Sequence, residues 1–350
     1  MAAQSLNGHV NGRRQEAGPH VSSDPRPTLL DVAGRAGVSL KTASRALNGE
    51  TYVADGTRTR VLVAAREMGY QLNRTASLLA RRIDASVVGL ITADLANPFY
   101  SALAKGMEHE LRAHGTQLIV ASSDEQPDRE RELLAELVVR QVRAVVLVST
   151  IDDHRALASV QARGIPIVFA DRVGVGIDAD SVILDNRLGS RIAVQHLVAG
   201  GHTSIGFVGD LSRLQTDRER FDGFISAMQD AGLDPARSVR HEAHDSAAAR
   251  DATRELLTQP DPPTALFTSN NRITIGALHA LKELQARTAL VGFDDFELAD
   301  LLGITVIAHD PVEMGRTAAG LALRAVKDRP TRPSRIVMPT QLIPRGSGER

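Results

Sequence analysis

The sequence predicts a two-part α/β protein: a small all-α helix-turn-helix module, then a body of two α/β subdomains with parallel sheets. Three observations carry this expectation. Leu29 to Leu47 holds two short segments with helical spacing on either side of a glycine. Basic side chains concentrate in the same region. From Ser86 onward, short β-branched runs alternate with helical stretches.

Residues 1–27 are rich in Gly, Pro, Ser, Asn and charge, without periodicity, and read as a disordered tail. Next comes LLDVAGRAGVSLKTASRAL. Its first half places Leu29, Leu30, Val32, Ala33 and Ala36 on one apolar face. Gly37 suits a helix end, where a positive φ is needed. Ser39 is a good N-cap for the second segment, because its hydroxyl accepts from the free amides of the first turn. Ala43, Ala46 and Leu47 face inward from that segment. Its exposed face would carry Leu40, Lys41, Thr42, Ser44 and Arg45. A cation and hydroxyls suit phosphates and base edges, and an apolar tip suits a thymine methyl. Two short amphipathic helices around a glycine also occur in proteins that never meet DNA.

A loop from Asn48 to Gly56 leads to a third helix starting at Thr57-Arg58, with Val61, Leu62, Ala65 and Met68 inward and Gly69 ending it. The three helices make a headpiece over residues 28–72. Residues 73–84 read as a hinge helix and linker. Asn73 can cap a short helix that runs through Leu79. There Leu79 could act as an apolar wedge in a minor groove, with flanking arginines on the phosphates. The alternative is a linker helix whose leucines pack on the headpiece.

Residues 85–346 form the body. VVGLIT, TQLIVA, AVVLV, IPIVF, SIGFVG, TALFT and TALVGF read as strands. Helical stretches fall at 99–114, 128–140, 188–199, 218–231, 247–257 and 272–284. Near-continuous apolar strands alternating with helices imply parallel sheets covered on both faces. The length suits two such sheets better than one. A ligand would then lie outside the carboxyl ends of the strands, in the cleft between subdomains.

The 350 residues are 43% hydrophobic, so a full core is available. Net charge is -1 at pH 7, but its distribution is uneven. Residues 28–82 hold nine basic and four acidic side chains, or +5; the tail adds +1, leaving -7 on the remainder. A basic module on an acidic body points to a polyanion partner for the module. The chain has no cysteine, which excludes disulfides, thiolate metal sites and thiol nucleophiles. No apolar run approaches the ~20 residues of a membrane helix, and the first residues lack the ~7–15-residue apolar core of a secretory signal. A soluble cytoplasmic protein is expected. With no Trp and 3% aromatics, stacking on single strands is disfavoured.

Some motifs mislead. Gly174-Val175-Gly176-Ile177-Asp178-Ala179 matches a dinucleotide fingerprint, yet a strand-like SVIL follows where a helix is required, so a loop is expected. His241-Glu242-Ala243-His244-Asp245 lacks the i, i+4 histidine spacing of a zinc-protease helix and also reads as a loop. Ser204 and Ser212 lack the G-x-S-x-G context of a nucleophile elbow.

Taken together, the residues resemble the lactose-repressor/galactose-repressor (LacI/GalR) family of bacterial transcription regulators. TLLDVAGRAGVSLKTASRALN and TRTRVLVAAREMGYQLN are close to the family's headpiece pattern. DLANPFYSAL, GIPIVFADR, DNRLGSRIAVQHLVAGGHTSIGFVGD, RERFDGF and VGFDD resemble its periplasmic-binding-protein-like core. The resemblance covers about residues 28–347. It implies that Leu40, Lys41 and Arg45 read bases in the major groove. Thr42, Ser44 and Asn48 fall at phosphate-contact or structural positions, and Ser39, the N-cap, is expected among the DNA-binding residues. In the hinge, Asn73, Ala76 and Leu79 match, Leu79 taking the place of the wedging leucine. Leu72 stands where proline is usual, and Ser77 where arginine or glutamine is common. In the body, Phe99, Asp171, Arg172 and Thr216 match positions lining the effector cleft, as do Arg220, Asn270 and Asp294. His244 sits where a purine-binding relative has an aromatic, and Asn271 replaces a frequent aspartate.

The resulting expectation is a dimeric, ligand-responsive DNA-binding regulator, a repressor of a pseudo-palindromic operator. Its effector would be a sugar or related metabolite, without cofactor, metal or catalytic residues. Two rivals stay open: a free solute-binding protein, and an α/β enzyme acting on sugars or nucleotides.

Overall fold

The computed structural model of the protein describes residues 27–48, 50, 52–70, 87–235, 238–328 and 332–349. The chain divides into two compact units, 1–83 and 84–350. Residues 1–26 of the expected tail lie outside the described residues, as does the expected hinge, with Asn73, Ala76 and Leu79.

The first unit holds α1 (Leu29–Ala36), α2 (Leu40–Leu47) and α3 (Asp55–Glu67). Thr28 and Asp31 form a reciprocal capping box at the start of α1. Gly37 closes α1 at φ 64°, a left-handed backbone that glycine adopts without a steric penalty. Ser39 caps α2 by accepting from the Thr42 amide at 3.2 Å. The three helices bury Val32, Ala33, Ala36, Ala43, Ala46, Val53, Val61, Ala64 and Ala65. Most of these are alanines, so short helices approach closely and little side-chain entropy is lost. An exposed Arg35–Glu67 ion pair at 3.1 Å links α1 to α3.

Two leucines expected inside face solvent: Leu30 is 67% exposed and Leu62 47%. The inward stripes run through 29, 32, 33 and 36 in α1 and through 61, 64, 65 and 68 in α3. Each exposed leucine sits one residue, or about 100°, off its stripe. Helix α3 also begins at Asp55, two residues before the expected start.

The second unit contains two six-stranded sheets. The first runs β11-β5-β4-β3-β1-β2. Its strands are β1 (Val87–Thr92), β2 (Gln117–Ser122), β3 (Ala144–Leu147), β4 (Ile167–Ala170), β5 (Asp180–Leu184) and β11 (Arg335–Met338). The second runs β12-β10-β9-β8-β6-β7. It holds β6 (Ile205–Val208), β7 (Val239–Arg240), β8 (Ala265–Thr268), β9 (Ala289–Phe293), β10 (Thr305–Ala308) and β12 (Gln341–Ile343). The two orders are the same pattern repeated. Every described pairing is parallel except β12 on β10, so the expectation of parallel sheets needs one antiparallel edge strand added.

β1, β3, β4, β5, β8 and β9 are almost wholly buried, because helices cover both faces of each sheet. Helices Pro98–Ala113 and Pro311–Lys327 pack together on the first sheet. Helices Asn186–Ala199 and Gln215–Asp230 pair, as do Ser246–Leu257 and Asn271–Leu284, over the second. The chain passes between the sheets after β5, after β10 and again after β11.

Helix Pro311–Lys327 was not anticipated from the sequence, nor were β10, β11 and β12. Its start signal was there to read: Asp310 accepts from the Glu313 amide at 2.9 Å, with Pro311 in the first turn. Residues 174–179 form a loop before β5, and 241–244 a loop before the helix at Ser246, as expected.

Small residues set the contact between Pro98–Ala113 and Pro311–Lys327. A Cβ on Gly106 would sit 1.9 Å from the Val312 carbonyl oxygen, and one on Gly315 2.0 Å from that of Leu103. Backbone cannot yield there as a side-chain tip would. Gly106→Ala should therefore destabilise the body by about 1–3 kcal/mol or more, as overpacking does. Denaturant unfolding monitors it, and a midpoint matching wild type would refute the tight contact.

Candidate functional site

In the first unit, α2 presents a compact polar face. Leu40 is 49% exposed, and Lys41 and Arg45 are exposed beside it. Thr42 and Ser44 are only half-exposed. Their hydroxyls are engaged locally: Thr42 Oγ1 lies 2.8 Å from Ser39 Oγ, and Asn48 Nδ2 donates to Ser44 Oγ at 3.3 Å. Leu40, Lys41 and Arg45 thus form the outward surface, while Ser39, Thr42, Ser44 and Asn48 hold the helix ends.

In the second unit, a cleft opens where the carboxyl ends of the strands meet. It encloses about 530 Å³ of empty space, open mouth included. All eight body residues singled out from the sequence line it: Phe99, Asp171, Arg172, Thr216, Arg220, His244, Asn270 and Asp294. Asp94, Asn97, Tyr100, Glu125, Asp210, Asp217, Ser269 and Arg272 line it as well and were missed. Most of the missed groups follow strand ends, and that position in the sequence was the available signal.

Asp171 directly follows β4 and Asp294 directly follows β9, equivalent strands in the two sheets. Both are buried and left-handed, with φ 67° and 66°. Non-glycine residues rarely hold that backbone, and such residues concentrate at functional sites. No helix begins at Asp294; a turn follows. Asn97 and Asn270 cap the helices that enter the cleft, accepting from the amides of Phe99 at 3.0 Å and Ile273 at 2.9 Å.

Charge is paired throughout. Arg172 grips Glu125 with both terminal nitrogens, at 2.9 and 2.6 Å, and donates to the Ser149 carbonyl at 2.9 Å. Burial pushes the Glu125 carboxyl up, yet Arg172 more than offsets this and holds it below its ordinary value. The Arg220 guanidinium stacks over the Phe293 ring at 3.8 Å. It donates to Asn186 Oδ1 at 2.9 Å and the Ser269 carbonyl at 2.6 Å, and lies 3.6 Å from Asp294 Oδ1. Burial works against the Asp294 charge, but Arg220 and His309 leave its carboxyl below the usual range. Asp171 Oδ2 lies 3.8 Å from Arg172 Nε, too far for a hydrogen bond, and burial outweighs that attraction and raises its carboxyl.

Several contacts bridge the cleft. Arg272 pairs with Asp94, and Asn271 Nδ2 donates to Asn97 Oδ1 at 3.0 Å. Arg213 donates to Thr150 Oγ1 at 2.6 Å and to the Glu125 carbonyl at 2.7 Å. Within the walls, Arg172 Nε and Asn271 Oδ1 are buried without a hydrogen-bond partner. The lining holds six carboxylates and three arginines, so an anion would meet net repulsion. Hydroxyl groups suit it better, since carboxylates accept from them and amides do both.

At the rim, His244 Nδ1 meets Asp210 Oδ1 at 2.8 Å, and Asn270 Nδ2 donates to Asp210 Oδ2 at 2.9 Å. The Asp210 hydrogen bond raises His244 above its ordinary value against the opposing effect of burial, with Glu125 helping and Arg272 resisting. A folded-state value above the unfolded one gives stability that is complete below the unfolded value and is lost as pH rises through the folded one. The unfolding midpoint should therefore fall as pH rises above about 6.5, the ordinary histidine value. In His244→Gln it should fall less steeply. Parallel pH profiles would show that this pair contributes nothing.

Comparison with known proteins agrees with the architecture of the two units. Residues 28–73 match the model of bacterial regulatory proteins of the lacI family, and residues 194–348 that of a periplasmic binding protein-like domain. The chain is 31% identical to the ribose operon repressor of Bacillus subtilis over 324 residues, covering 91% of this chain and 97% of that one. It is 28% identical to the transcriptional repressor CytR of Escherichia coli, covering 91% and 96%. Among solved structures, the Lac repressor bound to ONPG in its repressed state aligns at TM-score 0.81 and 26% identity, covering 92% of this chain and 99% of that one. The regulator CelR in complex with cellobiose aligns at TM-score 0.68 and 28% identity, covering 92% and 100%.

Proposed function

The chain belongs to the LacI family of bacterial regulatory proteins, and from that premise we propose a ligand-responsive transcription regulator. It binds a double-stranded DNA operator as a homodimer and acts as a repressor. A small hydroxylated effector, a sugar or related metabolite, occupies the cleft of the second unit. One observation carries this reading: a single chain joins a capped recognition helix exposing Lys41 and Arg45 to a cleft lined by hydrogen-bonding side chains at strand ends.

Two headpieces would read the halves of a pseudo-palindrome, each placing α2 in the major groove. Lys41 and Arg45 supply donors, and Leu40 an apolar contact. Ser39 and Thr42 hold the amino end of α2, where free amides favour a phosphate. In the cleft, Asp171, Asp294 and Asn270 accept from ligand hydroxyls, Arg172 and Arg220 donate, Thr216 and His244 flank them, and Phe99 offers a flat apolar face. The acid-rich lining disfavours an anionic ligand. Ligand contacts with both walls would change how the subdomains sit, and that change would be passed to DNA binding as a shift in population. Work on chromosomal DNA places the protein in the cytoplasm. No helix among the described residues is long and apolar enough to cross a membrane. The relatives compared are all named as regulators or repressors, not enzymes.

Gel-shift binding to the DNA upstream of its own coding region tests the reading directly. Arg45→Ala should cost about 1–3 kcal/mol at the cognate site and alter the preferred base there. An equal loss on every sequence would reduce Arg45 to a phosphate contact.

The cleft is tested separately with ribose, cellobiose and other neutral sugars. Arg220→Ala should bind operator near-normally without sugar and lose about 1–3 kcal/mol or more of effector affinity. Thr216→Val strands no buried charge and should show a smaller loss in the same direction. Wild-type effector response in both variants would place the ligand elsewhere.

A further inference from the structure

The recognition helix carries an internal partner for its candidate base-reading arginine. Glu50 lies just past the end of α2. Its amide donates to the Arg45 carbonyl at 3.1 Å, and the Glu50 carbonyl accepts from Arg58 Nη2 at 2.6 Å. Backbone contacts thus pin Glu50 to both α2 and α3. From that anchor its Oε2 lies 3.4 Å from Arg45 Nε. The Glu50 side chain is 34% exposed and that of Arg45 47%. Among the described ion pairs, this one alone involves a side chain on the outward face of α2.

We propose that Glu50 is a positioning residue for sequence recognition: it holds Arg45 by the Nε edge, so the two terminal nitrogens point outward as a fixed fork. This rests on the DNA-binding reading of the headpiece. The chemistry favours a guanine, whose O6 and N7 accept two parallel donors in the major groove. A free arginine would lose rotamer freedom on docking to a base, whereas one held beforehand loses less. The carboxylate also neutralises the guanidinium and repels phosphate. Arg45 is then a poor sequence-independent contact and keeps its directional one. Sequence discrimination is gained at the expense of general affinity.

The opposed effects give a signature that a merely structural residue would not produce. In Glu50→Gln, shape is kept and the charge is lost. Affinity for random-sequence DNA should rise, and the slope of log K against log salt should steepen by about 0.9 for each phosphate newly contacted. Discrimination at the base pair read by Arg45 should drop at least about threefold, part of what a bidentate contact supplies. The full chain is used to select sites from a random DNA library, with Arg45→Ala marking the base column concerned. Glu50→Asp, which keeps the charge, should retain more of that preference than Glu50→Gln.

An unchanged preference in Glu50→Gln with uniformly higher affinity would overturn the proposal and leave only phosphate repulsion. Loss on all sequences together with a lower melting temperature would also overturn it, making Glu50 a helix-end anchor. If wild type enriches no sequence, the DNA-binding reading itself fails. If wild type selects a site and the variant selects the same one, only the role of Glu50 fails.

Discussion

The Glu125–Arg172 pair ties the end of β2 to the end of β4, and both groups are almost wholly buried. Neither charge could remain there alone, because removing one partner of a buried pair leaves the other desolvated and uncompensated. The same requirement recurs around the cleft. Asp294 is held by Arg220 and His309, Asp94 by Arg272, and Asp210 by His244 and Asn270. Strand ends in a parallel sheet bring polar side chains together at one edge. Pairing them makes that edge a rigid wall with directed donors and acceptors.

Some of this pairing reaches across the cleft, and that has a functional consequence. Arg272, Asn271 and Arg213 each join a segment that follows the second sheet's strands to one that follows the first's. A ligand that competes for Asp94 or Asn97 would change the balance between the two walls. Its binding energy is then available to shift the body between arrangements, by as much as it binds one arrangement more tightly than the other. The headpiece makes a parallel use of paired charge, with Glu50 placed against Arg45. In both units a carboxylate restrains the arginine proposed to recognise something.

The packing of the body sets limits on how the walls move. Gly106 and Gly315 bring two helices into backbone contact on the first sheet, and that helix pair spans most of it. Such a contact resists shear. Movement is easier in the segments that pass between the sheets, where backbone torsions can absorb it.

Much of the fold was legible in residue spacing. Ser39 and Gly37 marked the ends of the first two helices, and the β-branched runs marked seven strands, because capping and strand preference act over a few residues. Leu30 and Leu62 were misplaced for a related reason: an apolar residue next to an inward stripe looks much like a member of it, and only packing separates them. Helix Pro311–Lys327 and the late strands β10, β11 and β12 were missed. The partner of β11 lies about 150 residues away, which no local pattern reports, whereas the helix carried a readable start signal at Asp310 and Pro311. At the cleft, resemblance to a family singled out eight positions. The partners of Arg172 and His244 (Glu125 and Asp210) and the neighbouring Asp94–Arg272 pair were not singled out: their place after strand ends was readable, but who pairs with whom was not. Local chemistry determined which segments become helices and strands and where they stop. The long-range pairing of buried charge, which makes a binding wall from strand ends, was decided by tertiary structure, since desolvation penalises a charge according to its neighbours in space and not in sequence.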